Sequence, residues 1–240
     1  MIKTFKFKKE INLYCFTDVH IGSKFHDGEK FQKAITALKN DPNGYCFFNG
    51  DNLEFTPGGY HGATNEQSMT NTEQVQSFIK LIKSLGKKVL FVRTGNHEAR
   101  MAKLCDIHLY NLISETNGIT TLHRGMEEIH IYIGERKYRF VSTHGEGGNS
   151  KRALSNMQQT FVGADVYFTG HTHEMYVEDT KTWVDTSSGK EQHRNMLLIC
   201  GGSFSGWQDY ARSKNMVPTR TGCYILTLNK KQVFVSSKIG

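Results

Sequence analysis

The chain is poor in proline, with 3 in 240 residues, and it contains no long polar linker. That shortage argues against a string of domains and favours one compact α/β domain over residues 1–240. No apolar run approaches the length needed to cross a membrane, which excludes a helical span. Residues 1–10 alternate lysine with apolar residues and lack the continuous apolar stretch of a signal peptide. Cysteine is scarce and odd in number: Cys15, Cys46, Cys105, Cys200 and Cys223, mostly inside apolar strand-like runs. This excludes a disulfide framework and a zinc–thiolate site, and fits small core residues in a reducing compartment. A cytoplasmic location, with no membrane partner, is the expectation. Acidic residues are outnumbered, 23 against 30 basic, for a net charge of +7. A basic balance favours polyanionic substrates. Pairs such as Lys8-Lys9, Lys87-Lys88 and Lys230-Lys231 serve equally well as solvated surface, and no nucleic-acid module is recognisable. No internal repeat or low-complexity tract is seen.

What the chain does have is a series of short apolar runs, each followed by a polar cluster rich in His, Asp and Gly. Residues 11–16 precede Asp18-Val19-His20, and residues 45–48 precede Gly50-Asp51. Residues 89–92 precede Gly95-Asn96-His97-Glu98, residues 138–141 precede Thr143-His144-Gly145, and residues 166–168 precede Gly170-His171-Thr172-His173. Runs of this length, rich in aromatic and β-branched residues, read as buried strands. All five clusters then lie at carboxyl ends of strands, where open α/β sheets place their sites. A lone His or Asp beside Gly is more often a turn residue than a ligand. Five such clusters in order supply carboxylate, amide oxygen and imidazole, the donors that hard and borderline divalent cations take. Apolar residues at helical spacing predict helices over 29–39, 72–85 and 151–161, with one helix or two short ones over 98–115. After His173 the pattern turns strand-like, at 175–183, 194–200, 222–228 and 232–235.

Taken in order, the series D-x-H, G-D, G-N-H-E, H and G-H-x-H resembles the calcineurin-like metallophosphoesterase superfamily, over about two thirds of the chain. The resemblance implies an α/β fold, a four-layer αββα sandwich of two mixed β-sheets flanked by helices. It implies two divalent metal ions, one held by Asp18, His20, Asp51 and His173 and the other by Asp51, Asn96, His144 and His171. The Asp51 carboxylate is then shared, and a water or hydroxide between the ions is the nucleophile. His97 is implied as the general acid that protonates the leaving oxygen. Glu54, which completes a G-D-x-x-[DE] form, is the favoured partner to orient His97, with Glu98 the competitor. Donors without thiolate put manganese first, then iron or zinc, with cobalt and nickel also admitted.

Phe55 stands where the phosphoprotein phosphatase branch carries the Arg of G-D-x-x-D-R-G, which argues against that branch. Among the remaining classes the favoured reading is a phosphodiesterase on a nucleotide or nucleic-acid linkage. A phosphomonoesterase or nucleotide pyrophosphatase is the alternative, and a non-catalytic metal-binding scaffold a remote one. Two segments are expected to line the mouth: 55–71, with Tyr60, His61 and Met69, and 201–221, with Phe204, Trp207, Tyr210, Arg212 and Arg220. Aromatic and Arg residues together can stack a base and grip a phosphate, or simply pack. His26 and Arg100 are further candidates near the site, with packing and helix-surface roles as the plainer readings.

Overall fold

The fold is described from a computed structural model covering residues 2–56, 66–105, 108–185, 192–213, 215 and 217–240. Its elements run β1 (Lys3–Phe7), β2 (Ile11–Phe16), α1 (Gly28–Asn40), β3 (Gly44–Phe48), α2 (Asn71–Leu85), β4 (Val89–Arg93), α3 (Asn96–Cys105) and α4 (Leu109–Asn117). There follow β5 (Thr120–Leu122), β6 (Glu127–Ile133), β7 (Arg136–Ser142), α5 (Ser150–Thr160), β8 (Val166–Thr169), β9 (Met175–Asp185), β10 (Gln192–Gly201), α6 (Asp209–Ser213), β11 (Cys223–Leu228) and β12 (Val233–Ile239).

Why the first strands are nearly continuous apolar runs follows from what covers them. Alternate side chains of a strand face opposite ways. In β2, Leu13 and Cys15 enter the layer between the sheets, while Tyr14 and Phe16 pack under helices. In β3, Phe47 faces inward and Cys46 and Phe48 face α1 and α2. A strand buried on both faces has no place for polar residues. One six-stranded sheet has the order β12-β11-β2-β3-β4-β5 and the other β1-β6-β7-β8-β10-β9. Both are mixed: β2 through β5 pair in parallel and β11 joins β2 antiparallel, while β7, β8 and β10 are parallel, β9 is antiparallel to β10, and β6 is antiparallel to β7 but parallel to β1.

The inner layer joins Phe47, Phe91, Phe140 and Phe168 across the two sheets. Outside the first sheet lie α1 through Phe31, Ile35 and Leu38, α2 through Phe78 and Ile82, and α4 through Ile113. Outside the second lies α5, through Leu154 and Met157 against Val141 and Tyr167. The four layers are thus helix, sheet, sheet, helix, the α/β sandwich expected.

Several strands lack the continuous apolar signature, β12 at the edge of the first sheet among them. β6 alternates, with Ile129, Ile131 and Ile133 buried and the residues between them half-exposed, because only one face is covered. β1 does the same at a sheet edge, where its lysines face out and discourage pairing with other chains. β5 is three residues long. The helical stretch over 98–115 resolves into α3 and α4. Among the described residues no helix is long and apolar enough to cross a membrane.

Candidate metal centre

Each of the five clusters begins within three residues of a strand's carboxyl end: Asp18 after β2, Asp51 after β3, Asn96 after β4, His144 after β7 and His171 after β8. Three of these strands belong to one sheet and two to the other, so the clusters meet at the seam of the sandwich. Backbone bonds stitch them together. The Asp18 amide donates to the Gly50 carbonyl at 3.0 Å, the His20 amide to Asp51 at 3.0 Å, and the Gly170 amide to His144 at 2.9 Å. The glycines in these motifs make room. A Cβ on Gly95 would lie 2.1 Å from the Asp51 amide and carboxylate, and one on Gly50, whose φ is +96°, would lie 2.6 Å from His144 Nδ1. Asp18, His20, Asp51, His171 and His173 all hold φ between 48° and 70°, the left-handed region. Such conformations cost roughly 1–3 kcal/mol each and persist where surrounding structure imposes them.

On one side of the centre stand Asp18, His20 and His173. The two imidazole Nε2 atoms face each other at 3.2 Å, and His173 Nε2 is 3.5 Å from Asp18 Oδ1. Asp18 Oδ1 is buried without a hydrogen-bond partner among the described residues, whereas Oδ2 accepts from Thr17 Oγ1 at 2.5 Å and the His171 amide at 2.9 Å. His20 Nδ1 donates to Glu54 Oε2 at 2.9 Å, which leaves the Nε2 lone pair pointing into the centre.

On the other side stand Asp51, His144 and His171. His144 Nδ1 donates to the Asn49 carbonyl at 2.9 Å, so its Nε2 lone pair faces Asn96 Oδ1 at 3.0 Å and Asp51 Oδ2 at 3.2 Å. His171 Nδ1 is buried with no partner among the described residues. Lone pairs aimed at lone pairs, with two buried polar atoms left over, are stable only around positive charge. The nitrogen and oxygen donors present suit divalent cations, so the residues fit the ions that the sequence pattern implies. That positive charge can come from a cation or, without one, from protons on the imidazoles. Burial works against protonating His20 and His144, yet Glu54 lifts the first and Asp51 the second to about 9. Burial likewise opposes ionisation of Asp51, but His144 and His97 hold it well below the usual carboxylate range.

His97 sits at the rim with its side chain 13% exposed. Its Nδ1 donates to the backbone carbonyl of Glu54, its Nε2 lies 3.9 Å from Asp51 Oδ2, and Arg100 Nη1 is 3.5 Å from its Nδ1. Burial, ahead of the opposing pull of Asp51, pushes its pKa down to about 4. The Glu54 carboxylate therefore faces His20, and Glu54 reaches His97 through its main chain. Glu98 does neither. Its buried carboxylate accepts the amides of Gly95 at 2.8 Å, Asp51 at 3.1 Å, Asn52 at 2.6 Å and Leu53 at 3.1 Å, and so clamps the turn that carries Asp51.

Two contributors were not singled out from the sequence. Asn49 receives His144 on its carbonyl and donates Nδ2 to the Thr143 carbonyl at 2.7 Å. Arg93, fully buried, donates Nε to Asn49 Oδ1 at 3.0 Å and Nη2 to Ser142 Oγ at 2.8 Å, bridging the sheets beneath the site. The available signal was an arginine ending the apolar run 89–92, directly before Thr94-Gly95-Asn96. Of the mouth residues, Phe204 is buried against Phe16 and Phe31 and belongs to the core. Trp207 is 37% exposed with the Arg212 guanidinium 5.0 Å over its ring. His26 donates Nδ1 to the Val19 carbonyl at 2.8 Å and packs on Phe31. Tyr60, His61 and the Tyr210 side chain lie outside the described residues.

The family model described as calcineurin-like phosphoesterase matches residues 11–175. No curated protein matches the sequence. Among solved structures, vacuolar protein sorting 29 from Cryptosporidium parvum is 18% identical with a TM-score of 0.50, covering 96% of this chain and 98% of that one. A double mutant of the same protein from Entamoeba histolytica is 13% identical with a TM-score of 0.50, covering 93% and 89%. A metallophosphoesterase from Sphaerobacter thermophilus is 12% identical with a TM-score of 0.47, covering 93% and 86%. At these identities the likeness concerns the fold alone.

Proposed function

Because the chain belongs to the calcineurin-like phosphoesterase family, we propose that it is a two-metal phosphoesterase acting on the phosphodiester of a nucleotide or nucleic acid. Asp18, His20, Asp51 and His173 hold one cation and Asp51, Asn96, His144 and His171 the other, with manganese the first choice. When bound, such a pair offsets phosphate charge and activates water for attack on phosphorus. The protein's own groups do the rest. Glu54 holds His20, and the Asn49 carbonyl holds His144, each in the tautomer that turns Nε2 inward. His97, fixed through Nδ1 on the Glu54 carbonyl, presents Nε2 to the leaving oxygen and donates its proton there. Burial keeps that ring neutral at rest, and the negative charge of an entering phosphate ester raises its proton affinity, so that Nε2 takes up from solvent the proton it then donates. We read residues 1–240 as one domain, since β11 and β12, beyond the matched segment, extend the sheet that carries Asp18 and Asp51.

The single observation carrying this reading is the convergence of two donor groups that include Asp18 Oδ1 and His171 Nδ1, buried with no hydrogen-bond partner among the described residues, with His97 beside them. Purified protein with manganese should hydrolyse bis-p-nitrophenyl phosphate and single-stranded DNA. His97→Ala should cut the rate by roughly 10²–10⁴-fold, the usual worth of a general acid, while metal content holds. Inert diesters beside brisk p-nitrophenyl phosphate turnover would make it a monoesterase. A scaffold without turnover is the second reading, favoured only by the fold shared with vacuolar protein sorting 29. Equal, negligible rates for parent and His97→Ala across several metals would establish it.

A further inference from the structure

We propose that a cavity beside the metal centre seats the nucleoside and second phosphate adjoining the scissile linkage, and that Arg124 and Arg152 grip that phosphate. The inference rests on the phosphodiesterase reading and names the part of the substrate that gives it specificity. The cavity lies between the segment before β6, the loop after His144 and the first turn of α5, and has a volume of about 750 Å³. That is within the range of nucleotide-sized ligand sites and larger than a scissile phosphate fills.

Its walls are tied to the centre. The Arg124 carbonyl accepts Thr143 Oγ1 at 3.2 Å and the His144 amide at 3.4 Å, so the strand end that presents His144 also positions Arg124. Gly145, on the cavity wall, backs onto the other donor, because a Cβ there would come 3.2 Å from His171 Cβ. The cavity wall thus adjoins the turns that present His144 and His171, which suits a group next to a phosphate at the centre. Two arginines, Arg124 and Arg152, are among the residues lining this space, against one acidic residue, Glu146. Glu146 holds Arg124 at 3.1 Å but is 86% exposed, and so exposed a pair exchanges readily for phosphate, which a guanidinium grips with two parallel bonds. Met126, 37% exposed, offers an apolar wall for the base. Gly148 has an ordinary φ and open space where its Cβ would be, so the fold does not require glycine there, and its lack of a side chain keeps the wall clear.

A binding arm tests this without catalysis. Fluorescein-labelled oligothymidylate is titrated with metal-free protein in EDTA at several salt concentrations, reading anisotropy. The double variant Arg124→Ala/Arg152→Ala should bind about tenfold more weakly or worse, the worth of a charge-assisted hydrogen bond. Its salt slope should be shallower by roughly 0.7 for each phosphate that an arginine no longer neutralises. Glu146→Gln should tighten binding. Competition by ATP distinguishes the sources: displacement at equal concentration marks a free nucleotide, and displacement only in large excess marks a strand. With manganese, the parent should show a lower KM for TpT carrying a terminal 5′- or 3′-phosphate than for TpT, and in the double variant that KM ratio should fall toward one. Unchanged affinity and slope in the double variant, or equal KM values in the parent, would overturn the proposal. If no diester is turned over at all, the catalytic reading fails while the anisotropy arm still decides the cavity.

Discussion

Asp51 stands with His144 and His171, and under the two-cation proposal it is the carboxylate that both positions share. Its Oδ1 accepts the His97 amide at 2.9 Å, and its Oδ2 lies 3.2 Å from His144 Nε2. Asp18 stands with His20 and His173 on the other side, its Oδ1 3.5 Å from His173 Nε2. Asp51→Asn should therefore lose metal from both positions and drop the rate by roughly 10–100-fold more than Asp18→Asn, the range seen when metal sites lose a supporting charge. Elemental analysis and rates for the two variants check this, and the reverse order would count against a shared carboxylate. Glu98 makes a different demand. Truncation in Glu98→Ala would leave four buried backbone donors unsatisfied, so urea unfolding should show a loss of about 3 kcal/mol or more. These roles show why residue-scale reading was incomplete: an acid adjacent to His97 in sequence turns its carboxylate away from it, and only the chain's path around Asp51 reveals the amides it meets.

Elements were legible where burial is two-sided or where caps are written locally. α2 begins at Thr70, whose side chain accepts from the Glu73 amide while Glu73 returns to the Thr70 amide at 2.8 Å, and it ends at Gly86 with φ +53°. That reciprocal box sits in four consecutive residues, so Thr70→Ala should cost about 1 kcal/mol and lower the melting temperature by a few degrees, without moving α2's buried face. Calorimetry measures it, and a neutral result would mean that packing of Phe78 and Ile82 alone sets the start of the helix. β5 and β6 were not legible by the same criteria. A three-residue strand has too little pattern to detect, and a strand covered on one face trades the apolar run for alternation.

At the scale of the whole molecule, the inner layer holds the two sheets at the separation the site needs. Phe47 has its ring centroid 4.8 Å from Phe91 in its own sheet, and 5.4 Å and 5.0 Å from Phe140 and Phe168 in the other. Phe47→Ala should cost about 3–5 kcal/mol in denaturant unfolding, and because β3 leads directly to Asp51, metal affinity should fall with it. Retained metal affinity would show the centre to be independent of this packing. By itself the sequence determined which segments are strands buried on both faces, and that the donor-bearing clusters follow them, because apolar periodicity and glycine punctuation are local properties. Only the tertiary structure decided which donors share a side, that Glu54 serves His20, that Glu98 clamps the Asp51 turn and that Arg93 bridges the sheets. Those facts depend on strand order and on which ends of two separate sheets meet, and neither is encoded within any single stretch of chain.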